Sequence, residues 1–315
     1  MDISVVVPSF NEAESLPELC AWINKVMQTH SFIYEVIVVD DGSTDNTWSV
    51  LRELSDSNKA IKGLKFRRNY GKSAALNRGF EKARGDVIIT MDADLQDSPD
   101  EIPELYRMIT EGGFDMVSGW KQKRYDPITK TIPTKLYNWA ARKASGIYLH
   151  DFNCGLKAYK KAVIKSVELY GEMHRYIPML AKRAGFPNIG EKVVEHQARK
   201  YGMTKFGLER FVNGFLDLMT VTFLSSFGKK PMHFFGVLGT LMFMLGFILF
   251  AYIGGAKLYY MYLEVKAKNI AEMSAFYIAL TSMIMGLQLF LAGFVGEMLS
   301  RQANDRNFYH IAEEL

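Results

Sequence analysis

The stretch Asp86-Val87-Ile88-Ile89-Thr90-Met91-Asp92-Ala93-Asp94-Leu95-Gln96-Asp97 decides how this chain folds. Its apolar, β-branched run reads as a buried strand, and the run ends on two carboxylates one residue apart. In an extended backbone residues i and i+2 point to the same side, so Asp92 and Asp94 are expected to converge at the strand's carboxyl end. Open α/β sheets place their ligands there. Hard divalent cations take a few carboxylate oxygens and complete their shell with phosphate oxygens. The stretch therefore points to a metal–diphosphate site, with an acidic strand-to-turn junction as the alternative. The flanking sequence decides between them.

Upstream, Ile3–Ser9, Glu35–Asp40 and Gly63–Arg67 join Asp86–Met91 as strands. Glu14–Thr29, Asp45–Ser57, Lys72–Ala83 and Asp100–Glu111 alternate with them as helices. Such alternation argues for a parallel sheet covered on both faces, and Val36-Ile37-Val38-Val39 suits a central strand. After Asp115-Met116-Val117-Ser118-Gly119 the pattern loosens. Pro133–Ser145 reads as a helix, and Leu156–Tyr159 and Asn188–His196 read as short strands. Three strand ends carry polar turns: Pro8-Ser9-Phe10-Asn11-Glu12, Asp40-Asp41-Gly42-Ser43-Thr44-Asp45 and the Asp92/Asp94 segment. In a parallel sheet all three meet along one edge, which favours a functional crevice. Asp41 and Glu12 suit hydrogen bonds to a base or ribose, whereas Asp45 reads as a helix cap. The glycines form neither a Gly-x-Gly-x-x-Gly nor a P-loop pattern, against a dinucleotide oxidoreductase or an ATPase.

The chain has 315 residues and a net charge of +4, too weak to argue for nucleic acid. Its two cysteines, Cys20 and Cys154, lack metal-ligand spacing and support no disulfide framework. Beyond Pro231 the composition turns strongly apolar. Phe234–Ile253 and Met273–Gly296 each meet the roughly 20 apolar residues needed to cross a bilayer. Tyr252, Tyr259, Tyr260, Tyr262 and Tyr277 gather near the connecting loop, as in an interfacial aromatic belt. Phe206–Phe227 reads as an amphipathic helix at a membrane surface. Ser282/Gly286 and Ala292/Gly296 have small-xxx-small spacing, which suits packing within the hairpin or between copies in a homo-oligomer. Met1-Asp2 runs straight into the first strand without a basic n-region, so the N-terminal part and both termini are expected on the cytosolic side.

Taken in order, Val7-Pro8-Ser9-Phe10-Asn11-Glu12, Val39-Asp40-Asp41-Gly42-Ser43, Asn69-Tyr70-Gly71-Lys72, Met91-Asp92-Ala93-Asp94-Leu95-Gln96, Asp151-Phe152-Asn153-Cys154-Gly155-Leu156-Lys157 and Arg199-Lys200-Tyr201-Gly202-Met203-Thr204-Lys205 resemble the inverting family-two glycosyltransferases. The closer likeness is to the dolichol-phosphate mannose synthase-like, polyprenyl-phosphate branch, in its bacterial form with two C-terminal spans. The resemblance implies a GT-A fold, an α/β domain with a mostly parallel sheet, over residues 1–205. Juxtamembrane helices at 206–230, two spans within 231–300 (about 232–256 and 273–298) and a cytosolic tail at 301–315 would follow.

It also implies residue roles. Pro8, Phe10, Glu12, Val39 and Asp41 would cradle the nucleotide, joined on the donor side by Lys72, Asp92, Ala93 and Lys121. Asp92, Asp94 and Gln96 would serve Mg²⁺ or Mn²⁺, and Arg199 and Lys205 would form a basic pair for the acceptor phosphate. Lys121 stands where the family has a basic residue after the fifth strand's Ser-Gly, and lysine lacks arginine's bidentate fork. Arg124 and Lys135 are further cations for the acceptor. Asp94, Asp151, Arg199 and Lys205 are the expected catalytic set.

The implied reaction moves one sugar from a UDP- or GDP-sugar to a polyprenyl phosphate resembling undecaprenyl phosphate, at the bacterial inner membrane. A phosphate monoester has a second pKa near 6 and is already largely deprotonated at neutral pH. No strong general base is needed, so Asp151 reads as an orienting residue. Two other classes stay open. A processive polysaccharide synthase would need a Gln-x-x-Arg-Trp-type motif, which Gln197-Ala198-Arg199-Lys200-Tyr201 does not supply, and more spans. A non-catalytic membrane-anchored nucleotide-sugar sensor would not need the Asp92/Asp94 and Arg199/Lys205 pairs.

Overall fold

The computed structural model describes residues 1–122, 138–143, 145–197, 200, 216, 219–220, 222–223, 227–228, 230–266 and 268–302. The chain divides into two compact units, Met1–Thr222 and Phe223–Leu315. The calls made on Phe206–Phe227 as an interfacial helix, and on Arg124, Lys135, Arg199 and Lys205, fall mostly or wholly outside the described residues.

The first unit is built on seven strands: β1 (Ile3–Ser9), β2 (Tyr34–Asp40), β3 (Ile61–Lys65), β4 (Val87–Thr90), β5 (Met116–Trp120), β6 (Lys157–Lys160) and β7 (Ile189–Val193). Their order across the sheet is β3-β2-β1-β4-β6-β5-β7. Every paired neighbour runs parallel except β6, which is antiparallel to both β4 and β5. The valine- and isoleucine-rich strands have both faces buried, as a covered parallel sheet requires.

Alternation along β1 sorts its side chains into two cores. Val5 and Val7 pack with Leu19 and Ile23 of α1 (Leu16–Thr29) and Leu105 of α4 (Ile102–Thr110). Val6 packs on the other face with Leu76 and Phe80 of α3 (Lys72–Lys82). The apolar positions of α1 at 16, 19, 20, 23, 26 and 27 form one helical stripe, and a proline in its first turn suits the start. β3 begins two residues before the expected Gly63. That glycine lies inside the strand, where α2 (Thr47–Ser57) approaches so closely that a Cβ would sit 3.0–3.1 Å from Leu51 and Trp48. Cys20 and Cys154 are buried free thiols, pushed up by burial to about 11 and about 12.

The second unit is a helical hairpin. Two shorter helices in the first unit, α5 (Lys161–Lys165) and α6 (Ile177–Arg183), precede its long pair, α7 (Pro231–Tyr262) and α8 (Ser274–Gln302). Each long helix contains an 18-residue stretch apolar enough to cross a membrane, with mean hydropathies of 2.3 and 2.0. At 1.5 Å per residue, their 32 and 29 residues exceed a hydrocarbon core of roughly 30 Å. Gly239 of α7 and Gly286 of α8 meet backbone to backbone, since a Cβ on either would lie 2.6 Å from the other's carbonyl oxygen. Gly286 is thus used within the hairpin.

Candidate active site

The carboxyl ends of β1, β2 and β4 lie side by side, because the three strands are parallel neighbours. Side chains tie the first two ends together. The Asn11 amide donates to Ser43 Oγ at 2.9 Å, and the Thr44 amide donates to Asn11 Oδ1 at 2.9 Å. The Glu12 amide donates to Thr47 Oγ1 at 2.9 Å. Asp45 stands one residue before Asn46, the N-cap of α2, and accepts the amide and hydroxyl of Thr47, the first helical residue, at 3.0 and 2.5 Å; Asn46 itself makes no side-chain capping bond.

Asp41 is buried and accepts the amides of Tyr70 and Gly71 at 2.7 and 2.9 Å. Burial raises its pKa despite those two bonds. It thereby fixes the turn that launches α3 and places Lys72. Pro8, Phe10 and Glu12 are partly exposed on this edge. Val39 and Ala93 are buried in the cores, so each offers a ligand its backbone only.

The acidic segment departs from its expected geometry. β4 stops at Thr90, a turn follows at Ala93 and Asp94, and Leu95 adopts φ +59°. Such a conformation costs a leucine on the order of 1 kcal/mol. A turn, not an extended strand, therefore sets how Asp92 and Asp94 are presented. The turn is stitched to a later segment: Gln197 donates its amide to the Gln96 carbonyl at 2.9 Å, and Asp97 forms a bridge with His196.

Asp92 keeps a third of its side chain exposed and pairs with the Lys72 ammonium. Burial opposes its charge, but Lys72, with Lys121 and His174, pulls its pKa down to about 2. Asp94 is buried and accepts the Gln96 amide at 3.3 Å. Asp97 is fully buried, with the Lys121 ammonium 2.7 Å away. Burial raises the Asp97 pKa against that cation, and the same pairing, overcoming burial, raises Lys121. Lys121 is thus committed to Asp97.

Gly155 lies against Asp92, and a Cβ there would come within 2.5 Å of Oδ2. Among the described residues no group of three or more His, Cys, Asp and Glu is gathered for a metal. The donor set of Asp92 and Asp94 nevertheless suits a hard divalent ion whose shell is completed by phosphate oxygens. The bare α-carbon of Gly155 leaves room for the Asp92 carboxylate.

Beside Asp92 lies a pocket that the sequence did not reveal. Lys72, Asn153, Lys157, His174 and Arg175 line it, with Leu76 and Phe152 among its apolar walls. Lys157 pairs in register with Thr90 across β6 and β4, and its ammonium donates to the Cys154 carbonyl. His174 Nδ1 lies 3.0 Å from Ser73 Oγ. Asp151 is buried, and its Oδ1 accepts the Asn153 amide at 3.0 Å. Glu191 in turn accepts the amides of His150 and Asp151 at 2.8 and 3.0 Å. Asp151 thus shapes the turn that carries Asn153 and Gly155.

Residues 4–167 match the family model described as Glycosyl transferase family 2. The chain belongs to glycosyl transferase family 2. It is 34% identical over 304 residues to the dodecaprenyl-phosphate galacturonate synthase of Rhizobium johnstonii, a match spanning 96% of this chain and 88% of that one. It is 33% identical over 305 residues to the undecaprenyl-phosphate 4-deoxy-4-formamido-L-arabinose transferase of Aeromonas hydrophila subsp. hydrophila, spanning 96% and 90%.

The fold resembles that of solved structures of other proteins. One is glucosyl-3-phosphoglycerate synthase from Mycobacterium tuberculosis with Mn²⁺, uridine diphosphate and glucosyl-3-phosphoglycerate (TM-score 0.54, 19% identity, 71% of this chain and 79% of that one). Another is mannosyl-3-phosphoglycerate synthase from Rubrobacter xylanophilus (TM-score 0.55, 18% identity, 70% and 73%). This glycosyltransferase therefore has the GT-A-like α/β architecture followed by two apolar helices, as its motifs implied.

Proposed function

We propose that this glycosyltransferase moves one sugar, with inversion, from a nucleotide diphosphate sugar to a polyprenyl phosphate such as undecaprenyl phosphate. One observation carries the reading: the likeness to two polyprenyl-phosphate sugar transferases spans 96% of the chain and so takes in the apolar hairpin. A transferase with a water-soluble acceptor has no need of that hairpin. The relatives' named sugars differ from one another, so their names select none for this chain.

Asp92 and Asp94, with Gln96 beside them, would hold Mg²⁺ or Mn²⁺. Such an ion neutralises the departing diphosphate. Pro8, Phe10, Glu12 and the backbone at Val39 would bound the nucleotide, while Asp41 keeps the Tyr70–Lys72 turn in place. Lys72 would meet the donor beside Asp92. The acceptor phosphate monoester is already anionic at neutral pH, so Asp151 has no proton to remove. It orients the Asn153–Gly155 turn.

An anionic acceptor needs cations. Arg199 comes two residues after Gln197, whose amide is bonded to the acidic turn. Arg199 with Lys205 is the proposed phosphate clamp, with Arg124 and Lys135 in support. The catalytic part and both termini are proposed to lie in the cytosol, with the hairpin in the inner membrane.

The test is direct: purified full-length protein, undecaprenyl phosphate, Mn²⁺ and a panel of UDP- and GDP-sugars, with lipid products read by mass spectrometry. One sugar added per lipid supports the proposal. A growing polymer would indicate a processive synthase, and donor binding without any glycolipid would indicate a sensor.

A further inference from the structure

Residues 138–143 and 145 are helical, and their two faces differ in kind. Asn138 and Ala141, three apart, are buried. Trp139, Arg142 and Lys143 fall at i, i+3 and i+4 and so share the opposite face. Trp139 is 58% exposed. Past Gly146 burial alternates: Ile147 and Leu149 enter the core and Tyr148 points outward. Tyr148 is 93% exposed, more than any other large apolar side chain among the described residues, the hairpin's included.

The patch stands on a firm base. Asn138 donates to the His150 carbonyl at 2.8 Å and accepts the Phe152 amide at 3.4 Å. The His150 ring stacks on Trp120 with centroids 4.1 Å apart. From α6, Lys182 donates to the Ser145 and Gly146 carbonyls at 3.0 and 3.2 Å, with Arg183 next to it in sequence. No acidic residue occurs at 138–150 or 177–187. Glu191, which reaches the His150 turn, is taken up by the His150 ring and two backbone amides.

Tryptophan and tyrosine beside lysine and arginine, without a carboxylate, suit the boundary between headgroups and acyl chains. A second copy of this chain fits less well, because an isologous contact would set Arg142 and Lys143 against their own counterparts. The location agrees. β5, which ends at Trp120, has its carboxyl end on the same edge as that of β4, because β6 runs antiparallel to both. The patch therefore adjoins the edge that carries Asp92 and Asp94, and an acceptor held in a bilayer has to reach that edge.

We infer that the Trp139–Tyr148 face docks on a bilayer surface carrying anionic lipid, with the two aromatic rings among the headgroups and Arg142 and Lys143 meeting lipid phosphates. Docking there would hold the turn bearing Asp151 at the bilayer surface. The inference rests on the membrane reading above but not on the identity of the donor or the acceptor.

Full-length protein would be placed in nanodiscs of phosphatidylcholine alone, or of equal parts phosphatidylcholine and phosphatidylglycerol, with brominated acyl chains as the probe. The chain has four tryptophans, and Trp22, Trp48 and Trp120 are only partly exposed, so Trp139→Phe isolates the contribution of Trp139. Bromine quenching of tryptophan fluorescence is expected in the wild type, stronger with phosphatidylglycerol, and should largely vanish in Trp139→Phe. Arg142→Gln and Lys143→Gln should each lower the docked-to-undocked ratio about fivefold in the anionic discs, the worth of one cation near such a surface. All three positions lie outside the core, and circular dichroism would verify the variants. Quenching as strong in Trp139→Phe as in the wild type, or indifferent to phosphatidylglycerol, would overturn the inference. So would disulfide-linked dimers of Tyr148→Cys without quenching, which would assign the face to a second chain. Failure to enter nanodiscs at all would sink the hairpin reading instead, and brominated vesicles of the same lipids would then put the same question to the patch.

Discussion

Gly155→Ala separates the acidic site from the fold. The added Cβ would stand 2.5 Å from Asp92 Oδ2 and 2.6 Å from its Cγ, whereas an ordinary contact begins near 3.4 Å. The carboxylate must therefore retreat by about 0.9 Å. Asp92 is a third exposed and has room to turn outward, and Gly155 is not among the glycines at positive φ. Overpacking at such a site should cost about 1 kcal/mol of stability, at the low end for inserted carbons. The functional cost is larger, because Mg²⁺ holds its oxygens at about 2.0–2.1 Å and tolerates little displacement. A misplacement of about 1 Å can lower turnover by about a hundredfold, or about 2.7 kcal/mol in the barrier. The assay is single-sugar transfer to undecaprenyl phosphate across a Mn²⁺ titration, with thermal unfolding measured in parallel. Wild-type transfer at limiting Mn²⁺ would refute the assignment of Asp92, and loss of folding would refute the claim that the clash is local.

Asp94→Ala should reduce transfer by about a thousandfold or more while the protein still inserts into membranes, read by mass spectrometry and membrane fractionation; full activity at saturating metal would exclude it as a ligand. Lys121→Ala strands the buried Asp97 carboxylate and should cost about 3–5 kcal/mol in denaturant unfolding, with Asp97→Asn restoring much of the loss. Glu35 is buried with Lys62 at 2.5 Å and Ser4 Oγ at 2.6 Å. Burial opposes its charge, but bonds from Lys62, Ser4 and the Arg84 amide lower its pKa. Its stabilisation is therefore complete above the unfolded value of about 4.3 and lost as pH falls through the lower folded value. Glu35→Gln should cost about 1–3 kcal/mol at pH 7, and that cost should shrink only as pH falls through the lowered folded value. Arg199→Ala should weaken use of the lipid phosphate more than donor hydrolysis, and equal losses would point to a donor-side or structural role.

Much of this was legible from periodicity. The parallel strands from Ile3 to Thr90 followed from continuous apolar runs, and the three polar strand ends from their turn residues. What escaped depends on contacts between distant segments. The strand at Lys157–Lys160 looked ordinary in sequence, yet it enters the sheet antiparallel between β4 and β5, and short strands carry no mark of direction. The expected strand began at Gly63, whereas the observed one starts at Ile61, and the glycine inside it admits α2. Lys121 reads as a free basic residue until the fold brings it to Asp97. The basic pocket joins residues 72, 153–157 and 174–175, which no local pattern unites. One signal was present: a lysine inside the apolar run Gly155-Leu156-Lys157-Ala158-Tyr159 has to be buried, and a buried lysine asks for a partner.

The decisive measurement is the mass of the lipid product when full-length protein in lipid nanodiscs is given undecaprenyl phosphate, Mn²⁺ and each candidate donor. The expected result is undecaprenyl phosphate heavier by a single sugar residue, absent with Asp94→Ala. A ladder of successive sugar additions, or unmodified lipid with every donor the protein binds, would contradict single-sugar transfer to a polyprenyl phosphate.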